Sequence, residues 1–172
     1  LTWRDSFTLF THTIQVNPNS LAANRCLGFY WAQNRDDARA AKYYARAAVL
    51  YPEDPTNHFD FANLLMRHGQ VEQALEHYRQ AVTDERESPA YFLNYGVALM
   101  AAHQPAEALE AFTRAADVDP NNVDAYQNAG LVLEQMGALD AAKQAFAEAL
   151  KRDPTRTIPR QHLQRLSATQ GS

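Results

Sequence analysis

Six histidines, a single cysteine and a recurring acidic or amide position are the residues of this chain whose types could do chemistry. Metal and acid–base sites need several such groups on one face, which helices supply through His-x-x-x-His or Glu-x-x-His spacing. His12, His58, His68, His77, His103 and His162 show neither spacing, so neither a metal nor another cofactor is expected. His68 and His103 fall near expected turns, where a solvated histidine is ordinary, and His58 falls on a packing position. Cys26 is the sole cysteine, which rules out an internal disulfide. Its neighbour Arg25 would lower a thiol pKa, but no partner base is in view and the thiol reads as idle. Neither a glycine-rich phosphate loop nor a nucleophile motif is present, so catalysis is not expected within these residues.

Charge and hydropathy narrow the classes further. The net charge of −4 gives no basic field to gather nucleic acid. The cations that do cluster (Lys151, Arg152, Arg156, Arg160, Arg165) read as solvated helix-end charge. No apolar run approaches the roughly 18 residues of a membrane span, so direct membrane insertion is not expected of this segment.

The elements that must position any site follow a 34-residue ruler. Pro18, Pro52, Pro120 and Pro154 keep it, with Arg86 in the vacant slot. Ala40, Ala74, Ala108 and Ala142 keep it too, as do Ala47, Ala81, Ala115 and Ala149, and between each pair stands an aromatic: Tyr44, Tyr78, Phe112 or Phe146. Gly28, Ala62, Gly96 and Gly130 share one phase; Gly69, Gly137 and Gly171 share another. Apolar residues recur at helical spacing in both halves of each unit, so a unit is two helices. Pro89 and Pro105 sit where a first helical turn tolerates proline. The Gly69 and Gly137 phase marks the inter-helix turn. The Gly28 phase lets two helix axes approach, with the facing aromatic filling the space beside it.

This pattern resembles the tetratricopeptide repeat, with four copies at 21–54, 55–88, 89–122 and 123–156. The resemblance implies an all-α solenoid of antiparallel helix hairpins wound as a right-handed superhelix, one domain over 1–172. The first copy departs with Arg35 at the turn glycine and Asn24 at a bulky position. The second ends on Arg86, where a looser junction is expected. Residues 1–20 supply the second helix of a truncated repeat, on which Phe10 is the aromatic. Residues 157–172 begin a fifth unit that caps the stack, with Gln161, Gln164 and Arg165 on its outer face.

In this family the first helices line the concave face. Carried over by phase, that face holds Arg25, Cys26, Phe29 and Gln33, then Phe59, Asp60, Asn63, Met66 and Arg67. The third repeat gives Leu93, Asn94, Val97 and Met100, and the fourth gives Asp124, Gln127, Asn128, Leu131, Glu134 and Gln135. Asp60, Asn94 and Asn128 form a ladder of short hydrogen-bonding side chains suited to an extended peptide backbone. Phe29, Phe59, Met66, Leu93, Val97 and Met100 make the middle of the groove apolar. A carboxylate clamp for acidic chaperone tails would need cations at set phases, and only Arg25 fits, so that receptor type is not expected.

The expected function is a non-catalytic scaffold that binds a peptide or partner protein in this groove. The opening stretch suggests an alternative. Trp3, Asp5, Ser6, Leu9, Phe10 and Pro18 resemble the segment after the last membrane span in O-mannosyltransferase-type glycosyltransferases that carry tetratricopeptide tails. That resemblance implies an accessory, substrate-presenting domain on the periplasmic or lumenal side, with any catalysis upstream of Leu1; without it, a cytoplasmic location is expected. Self-association through the bare end at Leu1 is the third possibility.

Overall fold

A computed structural model of the chain describes residues 3–83 and 88–168, with side chains from Ser6 onward. The described residues form ten α-helices and no strand: α1 (Trp3–Val16), α2 (Leu21–Gln33), α3 (Asp37–Leu50), α4 (Pro55–Arg67), α5 (Val71–Val82), α6 (Pro89–Ala101), α7 (Pro105–Val118), α8 (Val123–Gln135), α9 (Leu139–Arg152) and α10 (Thr157–Ala168). Arg86 and Gly171 lie outside the described residues, as do the side chains of Trp3 and Asp5.

Local chemistry starts and stops these helices. Ser20, Asp36, Asp54 and Asn122 accept a hydrogen bond from the backbone N–H three residues on, which satisfies a donor the helix leaves orphaned. Pro55, Pro89 and Pro105 occupy first turns, where a missing N–H costs nothing.

The chain divides into two compact units, Leu1–Glu85 and Arg86–Ser172. The first contains α1–α5, in which α2 pairs with α3 and α4 with α5; the second contains α6–α10, in which α6 pairs with α7, α8 with α9, and α10 lies on α9. The boundary falls in sequence at the slot where Arg86 stands in place of a closing proline.

Each hairpin is locked by an aromatic ring lying on a small residue. A methyl group built on Gly28 would meet the Tyr44 ring at 2.7 Å; on Gly96 or Gly130 it would meet Phe112 or Phe146 at 2.6 Å. Ala62 holds this slot in the α4–α5 hairpin and is fully buried. The four rings are at most 2% exposed, and Ala40, Ala74, Ala108 and Ala142 beside them are fully buried.

The turns repeat as strictly. Gly69 and Gly137 have φ of +69° and +78°. Arg35 and His103 occupy the same slot in the other two hairpins, at φ of 61° and 59°. His103 is therefore more than a solvated turn residue: it holds a left-handed conformation that a β-carbon disfavours.

Replacing Gly96 by Val is expected to destabilise the second unit by about 2–3 kcal/mol through overpacking against Phe112, measured by urea denaturation. Arg35→Gly and His103→Gly are expected to stabilise by about 0.5–1 kcal/mol each, because relief of backbone strain exceeds the added unfolded-state entropy; no change in denaturation midpoint would contradict the strain.

Candidate functional site

In the first unit, α1, α2 and α4 enclose an open hollow of about 310 Å³. Phe7 and Phe10 of α1 and Leu27, Phe29 and Tyr30 of α2 form its apolar walls, while Arg25, Cys26, Thr56 and Asp60 form the polar side. Phe7 stacks on Tyr30 at 4.4 Å between ring centres, which holds the upper wall together. Phe29 is 38% exposed and also borders two further hollows. One runs along α2 past Tyr30, Gln33 and Asn34; the other lies between α2 and α4, lined by Asn63 and Arg67 among others.

The structure thus gathers Arg25, Phe29, Asp60, Asn63 and Arg67 around connected hollows. Phe59 instead packs against Tyr78 at 6.1 Å, and Met66 is half-buried. Asn63 accepts a hydrogen bond from the Tyr78 hydroxyl at 2.6 Å, and Arg67 pairs with Asp37 of α3.

In the second unit Leu93, Asn94, Met100, Gln127 and Asn128 are half-buried and Val97 is 47% exposed. Leu131 belongs to the packing around Ala142, Phe146 and Leu166. Glu134 is taken up by the last helix: His162 approaches it at 2.5 Å and Arg165 pairs with it. Burial alone would raise the Glu134 pKa, but the His162 hydrogen bond and the two cationic partners together bring it below the usual value. Gln161 and Gln164 are exposed, whereas Arg165, expected on the outer face, reaches back to Glu134 of α8.

Sequence spacing did not reveal the contribution of α1. Phe10 shares its phase with Tyr44, Tyr78, Phe112 and Phe146, yet it is half-buried as a wall of the hollow, where those four rings are buried.

Burial and charge set the state of the polar groups. Desolvation raises the Asp60 pKa to about 6, with Arg25 lowering it and Asp54 adding to the rise. Asp60 makes no hydrogen bond or ion pair with the described residues; Arg25 is instead 3.7 Å from Asp54, which also caps α4. Burial likewise raises the Cys26 thiol, outweighing Arg25, so the lowering that the sequence suggested does not prevail.

The histidines include one pair that spacing did not show. His58 is 5% exposed; its Nε2 lies 2.9 Å from the Pro52 carbonyl and its Nδ1 2.9 Å from Nδ1 of His77. A carbonyl only accepts, so His58 donates from Nε2 and, when neutral, accepts from His77 Nδ1–H. Asn24 does the same work one repeat earlier, donating to the Pro18 carbonyl at 3.0 Å. No cluster of three or more metal-ligating groups occurs among the described residues, and none of their helices is long and apolar enough to cross a membrane.

Stacked hairpins with an aromatic on a small residue, a left-handed turn and a lined inner hollow define a tetratricopeptide-repeat protein. A family profile described as the cilia and flagella-associated protein 70 middle TPR-like domain matches residues 27–133, and a tetratricopeptide-repeat profile matches 123–156. The chain belongs to the former family, a set of TPR-like domains. Among solved structures it is similar to YrrB, described as a TPR protein with an unusual peptide-binding site, at 22% identity, covering 94% of this chain and 84% of that one with a TM-score of 0.84. It is also similar to MamA (20% identity, 88% and 82% covered, TM-score 0.83) and to the first TPR of Spaghetti (RPAP3) bound to an HSP90 peptide (18%, 69% and 94%, TM-score 0.65). At these identities the likeness is one of fold. No curated protein matches the chain.

Two pH effects follow. The raised Asp60 pKa means that its stabilising contribution is full below about pH 3.8 and is lost as pH rises through about 6. Asp60→Asn is therefore expected to stabilise the fold above pH 6 by on the order of 1 kcal/mol and to have little effect near pH 4. His77 runs the other way. Desolvation, then His58, lowers its pKa against the opposing Glu76, so its contribution is present above the usual histidine pKa of about 6.5 and fades as pH falls. His77→Phe is expected to flatten that acid-side loss in thermal melts from about pH 7 to about pH 5, and an unchanged profile would contradict the pairing.

Proposed function

We propose that this chain is a non-catalytic interaction scaffold whose first unit holds a peptide segment of a partner protein against the α2–α4 face. The observation that carries this reading is the open aromatic hollow around Phe29. An apolar pocket with a few convergent polar groups, on helices fixed by tight hairpins, suits a peptide side chain better than it suits catalysis. The peptide-binding site of YrrB and the HSP90 peptide bound to the RPAP3 repeat support a protein partner for a domain of this fold. Asp60 and Asn63 on α4 would extend the contact along the peptide within the first unit.

The glycosyltransferase-accessory reading rests on the opening stretch, and hydrophobic spans encoded upstream of Leu1 are its test. Self-association by head-to-tail stacking faces a steric obstacle. The slot held by Gly28, Ala62, Gly96 and Gly130 is Gln164 on α10, so a second copy's α1 would set Phe10 against a long side chain.

Peptides selected from a random display library on the wild-type chain are expected to share a large side chain, and to bind Phe29→Ala about tenfold more weakly. The melting temperature should change little, since Phe29 is partly exposed. Peptides that bind Phe29→Ala as tightly as wild type would place the contact elsewhere and remove this reading.

A further inference from the structure

The polar side of the hollow carries an unbalanced charge. One guanidinium serves two carboxylates: Arg25 is 3.7 Å from Asp54 and also lowers the Asp60 pKa, so the three groups leave one net negative charge where Asp60, without a hydrogen bond or close ion pair to the described residues, borders an apolar space. Aromatic rings line the same hollow: Phe7 and Tyr30 stacked on one another, Phe10, and the exposed Phe29. A carboxylate in a hollow lined by aromatic rings is complementary to one kind of group, a cation on an apolar stem. The rings cover the stem and attract the cation through their faces, and the carboxylate neutralises it.

We propose that this hollow is a receptor for a single arginine or lysine side chain projecting from an extended peptide, with Asp60 as its counter-ion. The proposal rests on the groove reading above and names the chemistry that this part of the groove selects. It runs opposite to recognition of an acidic tail, for which Asp60 would be repulsive.

Burial pushes Asp60 up to about 6, so near neutral pH the carboxylate is held ionised against its surroundings. An incoming cation relieves that penalty, and binding gains in proportion to the ionised fraction. Among the described residues, the titratable and charged groups around Asp60 are Arg25 and Cys26 on α2, Tyr44 on α3, and Asp54 and Arg67 at the two ends of α4. Burial raises the Cys26 and Tyr44 pKa values, so neither thiol nor phenol becomes anionic as pH rises toward neutral. Arg25 repels an incoming cation, and its removal frees Asp54 to add a second negative charge.

Cys26 makes the test site-specific, because the one thiol of the chain lines this hollow and is partly exposed. Blocked pentapeptides of alanine with a central arginine, methionine or glutamate are titrated against the whole chain. Occupancy is read by slowed maleimide labelling of Cys26, and affinity by calorimetry. The arginine peptide is expected to protect Cys26 and to bind about tenfold more tightly than the methionine peptide near neutral pH. That preference should shrink as pH falls to about 5. It should vanish at every pH in Asp60→Asn, which keeps the side chain's shape, and should grow in Arg25→Gln. Circular dichroism confirms that both variants are folded.

Equal protection by the arginine and methionine peptides at both pH values would overturn the cation proposal while leaving an apolar groove standing. Preference for the glutamate peptide, lost in Arg25→Gln, would assign the hollow to an anion instead. Failure of every peptide to protect Cys26 would remove the groove reading and this proposal together.

Discussion

The structure depends on the close approach of two helices where one of them has almost no side chain. At Gly28, Gly96 and Gly130 there is no room for even a methyl group beside the partner's ring. The ring in turn fills the space that a glycine leaves, so packing density is kept and the angle between the helices is fixed. The left-handed turn at residues 35, 69, 103 and 137 returns the chain to make that contact. Repeating one contact through four hairpins gives each unit a rigid inner face without a large contiguous core.

Rigidity of that kind is what lets a small polar group act as a recognition element. Asp60 is carried by α4, whose start is fixed by the Asp54 cap and which is tied to α5 by the Tyr78 hydroxyl donating to Asn63 and the Tyr78 ring packing on Phe59. The carboxylate is half-buried there, and desolvation raises its pKa to about 6. Charged groups kept at such a cost, in a hollow, are more often there for binding than for folding. The second unit differs in character: Glu134 is closed off by His162 and Arg165 of the last helix, and Leu131 is absorbed into packing.

The period itself made most of the fold legible before any coordinates. A 34-residue spacing of proline, alanine, aromatic and glycine can hardly arise except from repeated hairpins, because each type meets one steric need. For the first unit, the family pattern implied by the resemblance names Arg25, Phe29, Asp60, Asn63 and Arg67 together, and these residues line hollows that share Phe29 and Asp60. What phase could not show is how a residue is used once it is there. Arg67 turns to Asp37, and Asn63 accepts from Tyr78, because each finds a polar partner on a neighbouring helix, a pairing that the position within the repeat does not specify. The His58–His77 pair crosses a hairpin at a spacing that no helical motif describes. His103 kept its slot but concealed the strain, since a histidine at a turn looks like any polar loop residue until its φ is known.

The central claim is that the first unit's hollow, and not some other surface, receives the peptide. Amide and aromatic chemical shifts of the isotopically labelled chain, followed during titration with the arginine pentapeptide, test it most directly. The account expects the largest changes in the rings of Phe10, Phe29 and Tyr30 and in the amides around Arg25 and Asp60, with intermolecular contacts from the arginine methylenes to those rings. Changes centred on α6 and α8, leaving Phe29 and Asp60 unmoved, would contradict it.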